Sequence, residues 1–235
     1  CILPCWVCRS ADGGRTWRHD EGFPSVSPEI SIIPYGKIIP LPDGTLGASG
    51  YCFDLANPRK NNSAWLLRSR DDCRAWGEHV LIAEGHNETD ILEVEPGRVL
   101  AVSRSLGEQR LDLYVSEDGG KSWRWDRQLT GAGQIPGSLL KLSDGRVLMC
   151  HGMRSRGFHG IGARFSEDGG RNWSGALTLA EFDGAADSGY PSSLQSPDGT
   201  IVTAYYAGGI TVHQRYHMGV LRWTLDEQLK QNARG

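Results

Sequence analysis

An eight-residue motif recurs four times along this chain and leaves few folds open to it. Ser10-Ala-Asp12-Gly-Gly14-Arg-Thr16-Trp17 is followed by Ser69-Arg-Asp71-Asp-Cys73-Arg-Ala75-Trp76, Ser116-Glu-Asp118-Gly-Gly120-Lys-Ser122-Trp123 and Ser166-Glu-Asp168-Gly-Gly170-Arg-Asn172-Trp173, with the aspartates 59, 47 and 50 residues apart. Self-similarity at such a period marks a repeat architecture. The motif has the chemistry of a tight hairpin: Asp accepts backbone N–H bonds inside the turn, Gly supplies positive φ, and Trp folds back to plug the seam between strands. The four aspartates Asp12, Asp71, Asp118 and Asp168 and the four tryptophans Trp17, Trp76, Trp123 and Trp173 are therefore expected to be structural.

Between the copies lies a second repeat, two apolar runs joined by an Asp-Gly-type turn. It spans Ile38 to Leu46 around Asp43-Gly44, Ile91 to Val102 around Pro96-Gly97, Leu139 to Met149 around Asp144-Gly145, and Leu194 to Val202 around Asp198-Gly199. One period therefore reads strand, turn, strand, loop, strand, box turn, strand, which is the four-stranded antiparallel blade of an all-β propeller. Glycine use agrees, since 31 of 235 residues is close to twice the usual share of roughly 7%, without the three-residue period of collagen. Only the last dozen residues, Thr224 to Gly235, carry a trace of helical period, and their polar character suggests a terminal tail. The chain 1–235 reads as one propeller domain.

The Ser-x-Asp-x-Gly-x-Thr-Trp element resembles the Asp-box, or BNR repeat, of the sialidase (neuraminidase) superfamily, and the resemblance covers nearly the whole chain. It implies a six-bladed propeller, of which this chain covers about four to five blades: nine residues precede the first box, three complete blades follow, and the sequence ends after a strand at Met218 to Trp223. The second box departs from the pattern, with Cys73 for its glycine and Ala75 for its hydroxyl. In the family a complete early blade precedes the first box and carries the first arginine of a carboxylate-binding triad and the acid/base aspartate. No counterpart of either is found. The absence of both, and a start at Cys1 without methionine, leave open a fragment, a shortened relative or an unusual ring closure, with Asp54 only a distant substitute for the acid.

Repeat arithmetic places the remaining candidates. Glu88 lies nine residues before Gly97 and Tyr190 nine before Gly199, at the entry to the inner strands of their blades. Arg104 lies fourteen before Asp118 and Arg154 fourteen before Asp168, late in or just after the second strand. Both pairs should face one mouth of the tunnel. The resemblance then implies roles: Tyr190 as nucleophile, Glu88 as its base, and Arg104 and Arg154 as the second and third arginines, with Arg156 an alternative to Arg154. Gln134 and Asp187, on matching segments, would be further substrate contacts.

Chemistry accounts for these residue types. A sialic acid carries a carboxylate on its anomeric carbon, which planar guanidinium forks bind bidentately. An anionic nucleophile would approach against like charge, and sialidases use tyrosine instead. A phenol of pKa near ~10 needs a neighbouring base to take its proton. Each residue also has a plainer reading: the arginines could pair with surface carboxylates, Tyr190 beside Pro191 could cap a strand, and Glu88 could be solvated.

Two function classes follow. One is a retaining exo-α-sialidase-like glycoside hydrolase, or one acting on another acidic sugar. The other is a non-catalytic carbohydrate-binding or scaffold propeller. A net charge of −3 without a basic stripe speaks against nucleic acid as a partner. No run approaches the ~18–20 apolar residues of a membrane span. No cofactor is expected and no metal, because the cluster Cys1, Cys5, Cys8 lacks a second ligand pair and the histidines, His86, His151, His159, His213 and His217 among them, have no ligating spacing. Open blade edges would favour a homo-oligomer. The compartment stays open; no signal peptide is evident, and secreted or periplasmic placement would follow from family analogy alone.

Overall fold

Turn chemistry sets where each strand starts and stops. The computed structural model describes residues 5–21, 25–27, 30–52, 62–155, 157–183, 187–211 and 213–232; Cys1, Asp54 and Arg156 lie outside them. The first box turns β1 (Trp6–Arg9) back onto β2 (Arg18–Glu21), and β3 (Ser25–Ser27) pairs with β4 (Ile30–Ser31). A first blade follows with β5 (Ile33–Pro40), β6 (Leu46–Cys52), β7 (Ser63–Ser69) and β8 (Gly77–Glu84). The second has β9 (His86–Glu95), β10 (Arg98–Ser105), β11 (Leu111–Ser116) and β12 (Arg124–Gln128). The third has β13 (Gly137–Lys141), β14 (Val147–Ser155), β15 (Phe158–Ser166) and β16 (Leu177–Phe182), and the fourth β17 (Asp187–Gln195), β18 (Ile201–Gly208) and β19 (His217–Trp223). All pairings are antiparallel meanders, as the repeat predicts. The glycines of the four hairpin turns sit at φ between +81° and +91°, where a side chain would be strained. β19 is the edge of the fourth blade among the described residues and exposes Met218 and Val220.

The boxes behave as their sequence demands. In the fourth, Ser166 Oγ donates to Asp168 Oδ1 at 2.8 Å and accepts the Gly170 N–H at 2.8 Å, while Asp168 also accepts the N–H and side-chain amide of Asn172 at 2.8 and 2.6 Å. The second box lacks the last of these bonds, because Ala75 has no hydroxyl, and it forces Cys73 to φ +59° in the glycine's place. Two of the four tryptophans lie between blades, and Trp76 is buried against its own blade with Ala48, Leu67 and Cys73. Trp123 packs on a core shared by the first and second blades, Trp173 on one shared by the second and third. Trp17, in the turn between β1 and β2, is 63% exposed and donates to Gly14 O. The boxes also latch blade to blade: Arg68 of β7 donates to Gly119 O at 2.5 Å, and Arg171 forks onto Glu95 at 2.5 and 2.7 Å.

A Cβ on Gly170, at φ +84°, would lie 2.4 Å from Leu100 Cδ1 of the neighbouring blade. Gly170→Ala should therefore cost about 2–4 kcal/mol in urea unfolding, against about 1–2 for Gly145→Ala, which shares the backbone strain but meets no atom. Bonds from Asn172 hold the Asp168 carboxyl down at about 2. The stability this contributes is present above the ordinary aspartate value near ~4 and is lost as pH falls toward the folded value. Asp168→Asn should flatten that limb of the stability curve, measured by urea unfolding across the range.

The polar ending is not a loose tail. Residues Leu225–Asn232 form α1, whose N-terminus is capped reciprocally: Thr224 Oγ1 donates to Glu227 Oε2 at 2.8 Å and accepts the Glu227 N–H at 3.3 Å. Leu225, 2% exposed, and Leu229 dock it on the core between the third and fourth blades. Two leucines one turn apart give an otherwise polar helix its apolar side, and Arg146 to Asp226 and Gln228 to Thr178 O add polar contacts.

The first strand of each blade lines a channel. Lys37 of β5 donates to Asp90 of β9 and, at 2.8 Å, to Leu139 O of β13, while Leu139 N donates to Asp90 Oδ2 at 2.7 Å. Three inner strands are thus tied through one carboxylate that is 1% exposed.

Candidate active site

Three inner strands carry a bulge near their entry. The register slips between Tyr35 and Ile38 in β5–β6, between Ser103 and Ser105 in β9–β10, and between Gly189 and Ser192 in β17–β18. Bulges re-aim side chains, and here they turn a set of polar groups toward one mouth. Tyr190 is held at φ +51°, an outlier for an aromatic residue of the kind that clusters at functional sites.

The phenol of Tyr190 donates to Glu88 Oε1 in a short hydrogen bond. Glu88 is 7% exposed, and its other oxygen is paired with Arg104 Nη1 at 2.6 Å. Gln109 accepts from Arg104 Nη2 at 2.9 Å. Arg154 approaches from β14, its guanidinium 5.4 Å from the centre of the Tyr190 ring. It donates through Nε to Ser188 O at 2.6 Å and through Nη2 to Tyr206 Oη at 3.1 Å, and pairs with Asp187 Oδ1 at 3.2 Å. β14 reaches β17 this closely because Gly152 and Gly189 abut; a Cβ on Gly152 would lie 3.1 Å from Gly189 Cα. Burial and the Glu88 carboxylate push the Tyr190 phenol well above its ordinary value, while both arginines pull the other way. The hydroxyl is thus neutral at rest and hydrogen-bonded to a carboxylate that can take its proton. Tyr190 also borders a cavity of about 250 Å³ lined by Tyr35, Lys37, Asp90, Leu139 and Ser192.

The structure thus brings together Tyr190, Glu88, Arg104 and Arg154, which the repeat offsets had set at two equivalent positions. Asp187 joins them as the partner of Arg154. Gln134 is placed differently: its side chain accepts the Gly131 N–H at 3.0 Å and closes its own turn, because the loop before the Ile135–Pro136 bond folds onto itself there. Sequence reasoning did not single out Tyr35, Gln109 or Tyr206 as site residues. Tyr35, edge-on to Tyr190 at 6.2 Å, had a signal, since it too lies nine residues before a turn glycine, Gly44. Pro136 holds that place before Gly145. Cys5 and Cys8 are free thiols, and among the described residues no group of three or more His, Cys, Asp or Glu could hold a metal ion. No helix among them is long and apolar enough to cross a membrane.

Four-stranded antiparallel blades closed by box turns define a β-propeller. The chain belongs to the BNR repeat-like domain family, whose profile matches residues 4–203. Among curated proteins none matches it. Of solved structures, a protein of unknown function from Dyadobacter fermentans DSM 18053 is 26% identical with a TM-score of 0.77, over 92% of this chain and 63% of that one. The Hadza microbial sialidase Hz136 is 22% identical with a TM-score of 0.72, over 94% of this chain and 44% of its own. An α-L-arabinanase of Penicillium chrysogenum is 16% identical with a TM-score of 0.62, over 84% of this chain and 63% of its own. Further matches are named sialidase, α-L-arabinofuranosidase and β-fructofuranosidase, so the fold is that of several glycoside hydrolases. The chain spans less than two thirds of the length of these relatives.

Proposed function

We propose that this chain carries the nucleophile half of a retaining exo-α-sialidase site and acts on glycans ending in sialic acid. The observation that supports it is the Tyr190–Glu88–Arg104 contact: a phenol bonded to a buried carboxylate that is itself oriented by a guanidinium. In the first step the Tyr190 oxygen attacks the anomeric carbon, its proton passes to Glu88 Oε1, and the bond to the leaving oxygen breaks as that oxygen takes a proton from an acid outside this cluster. Water then attacks the anomeric carbon and gives a proton to the group that acted as acid in the first step, the bond to the Tyr190 oxygen breaks as Glu88 returns the proton to it, and the product keeps its configuration. A neutral nucleophile suits a carbon that bears a carboxylate. Arg104 and Arg154, both beside Tyr190, are the groups that would hold that carboxylate.

A second reading rests on a different observation. Both arginines already have an internal carboxylate partner, Glu88 and Asp187, so the cluster is neutral overall; that favours a propeller that binds sugar without cleaving it. A 3-fluorosialosyl fluoride separates the two. It should release fluoride and leave a covalent sialyl adduct on the peptide containing Tyr190, read by mass spectrometry. An unmodified Tyr190 peptide after exposure to the reagent would sink the hydrolase reading.

A further inference from the structure

The loop from β18 to β19, residues 209–216, is longer than its counterparts in the second and third blades, 106–110 and 156–157, and leaves its second strand at the same mouth. Loops over a rigid scaffold are where specificity is carried. Its last residue, Tyr216, is 69% exposed, yet its position is fixed. The ring lies over Gly208, where a Cβ would come within 2.9 Å of it, and the hydroxyl donates to Asp187 Oδ2 at 3.2 Å. Tyr216 stands 5.9 Å from Tyr206, which stands 5.5 Å from Tyr190. A row of three rings therefore runs outward from the nucleophile, and the outermost shows most of its surface to solvent. Asp187 ties that ring to the site, since its Oδ1 pairs with Arg154 while Oδ2 holds Tyr216.

A large aromatic ring, held at its polar edge and bare on its face, suits the C–H face of a sugar, which stacks there while its hydroxyls bond to what surrounds the ring. The polar group beside it is a carboxylate. That accepts hydroxyl protons and repels a second anion. We infer that Tyr216 is a stacking platform for a neutral sugar ring on the leaving-group side of the bond attacked at Tyr190, and so selects the penultimate unit of the glycan. This rests on the hydrolase reading above. Tyr216 positions substrate and takes no part in the bond changes.

The test compares a sialyllactose, whose leaving group is a sugar, with sialosyl fluoride, whose leaving group is a fluoride ion. Tyr216→Ala should raise KM for the lactoside by about tenfold with kcat within about twofold, and leave the fluoride parameters unchanged. Tyr216→Phe keeps the ring, loses the bond to Asp187, and should hold the lactoside KM within about threefold of the parent chain. Equal losses on both substrates, or a Phe variant as impaired as the Ala one, would show that the residue acts only through Asp187 and overturn the platform. A parent chain that consumes the fluoride but not the lactoside also overturns it and leaves the hydrolase reading standing. Inertness toward both removes the two together.

Discussion

Tyr190→Phe should lower turnover of an α-sialoside by about 10³-fold or more, the loss expected when the group that forms the covalent intermediate is removed. The ring survives the change, so its contacts with Tyr35, Tyr206 and Arg154 survive with it. What disappears is the oxygen proposed to attack and the donor to Glu88 Oε1. Stability should fall by only about 1–2 kcal/mol, the cost of leaving one buried acceptor without its partner. Residual turnover within about tenfold of the parent chain would assign the chemistry to another nucleophile. Glu88→Gln gives the complementary result: an amide cannot accept the phenolic proton, and a loss of about 10²–10⁴-fold is expected for a missing general base.

The second large effect concerns stability and binding together. Arg104 and Glu88 have side chains only 16% and 9% exposed, so Arg104→Ala leaves a carboxylate in a nearly closed site without its guanidinium, though still bonded to the Tyr190 phenol. Breaking a buried pair from one side should cost about 3 kcal/mol in urea unfolding. Arg154→Ala is the matched control. Its partner Asp187 is 37% exposed and keeps two tyrosine donors, so that loss should stay below about 1 kcal/mol. Both variants should bind a sialic acid analogue more weakly, because each loses a guanidinium facing the anion. If Arg104→Ala proves as stable as Arg154→Ala, the Glu88 pair is more hydrated than its burial implies.

Much of this site was legible because turn chemistry is local. Glu88 and Tyr190 lie nine residues before the hairpin glycines Gly97 and Gly199, so their equivalence is readable without a fold in hand. The same count from Gly44 reaches Tyr35. Gln109 had no such signal: it sits in a loop at φ +53°, and its use as an acceptor for Arg104 depends on that loop's own conformation. The helix at the polar ending depends on tertiary context in a related way. Leu225 and Leu229 carry little helical pattern by themselves, and only the surface between two blades makes them a buried face.

The sequence by itself determined the blades, because each box and each Asp-Gly turn closes its hairpin with groups no more than four residues apart. Tertiary structure decided what those blades do to one another. Trp123 and Trp173 seal neighbouring blades, Asp90 ties three inner strands, and Asp187 engages Arg154, with partners brought into range only when the sheets pack. The bond from Tyr190 to Glu88 joins groups 102 residues apart in sequence. Bulges and close glycine contacts set that approach, and no local pattern encodes the distance across the channel.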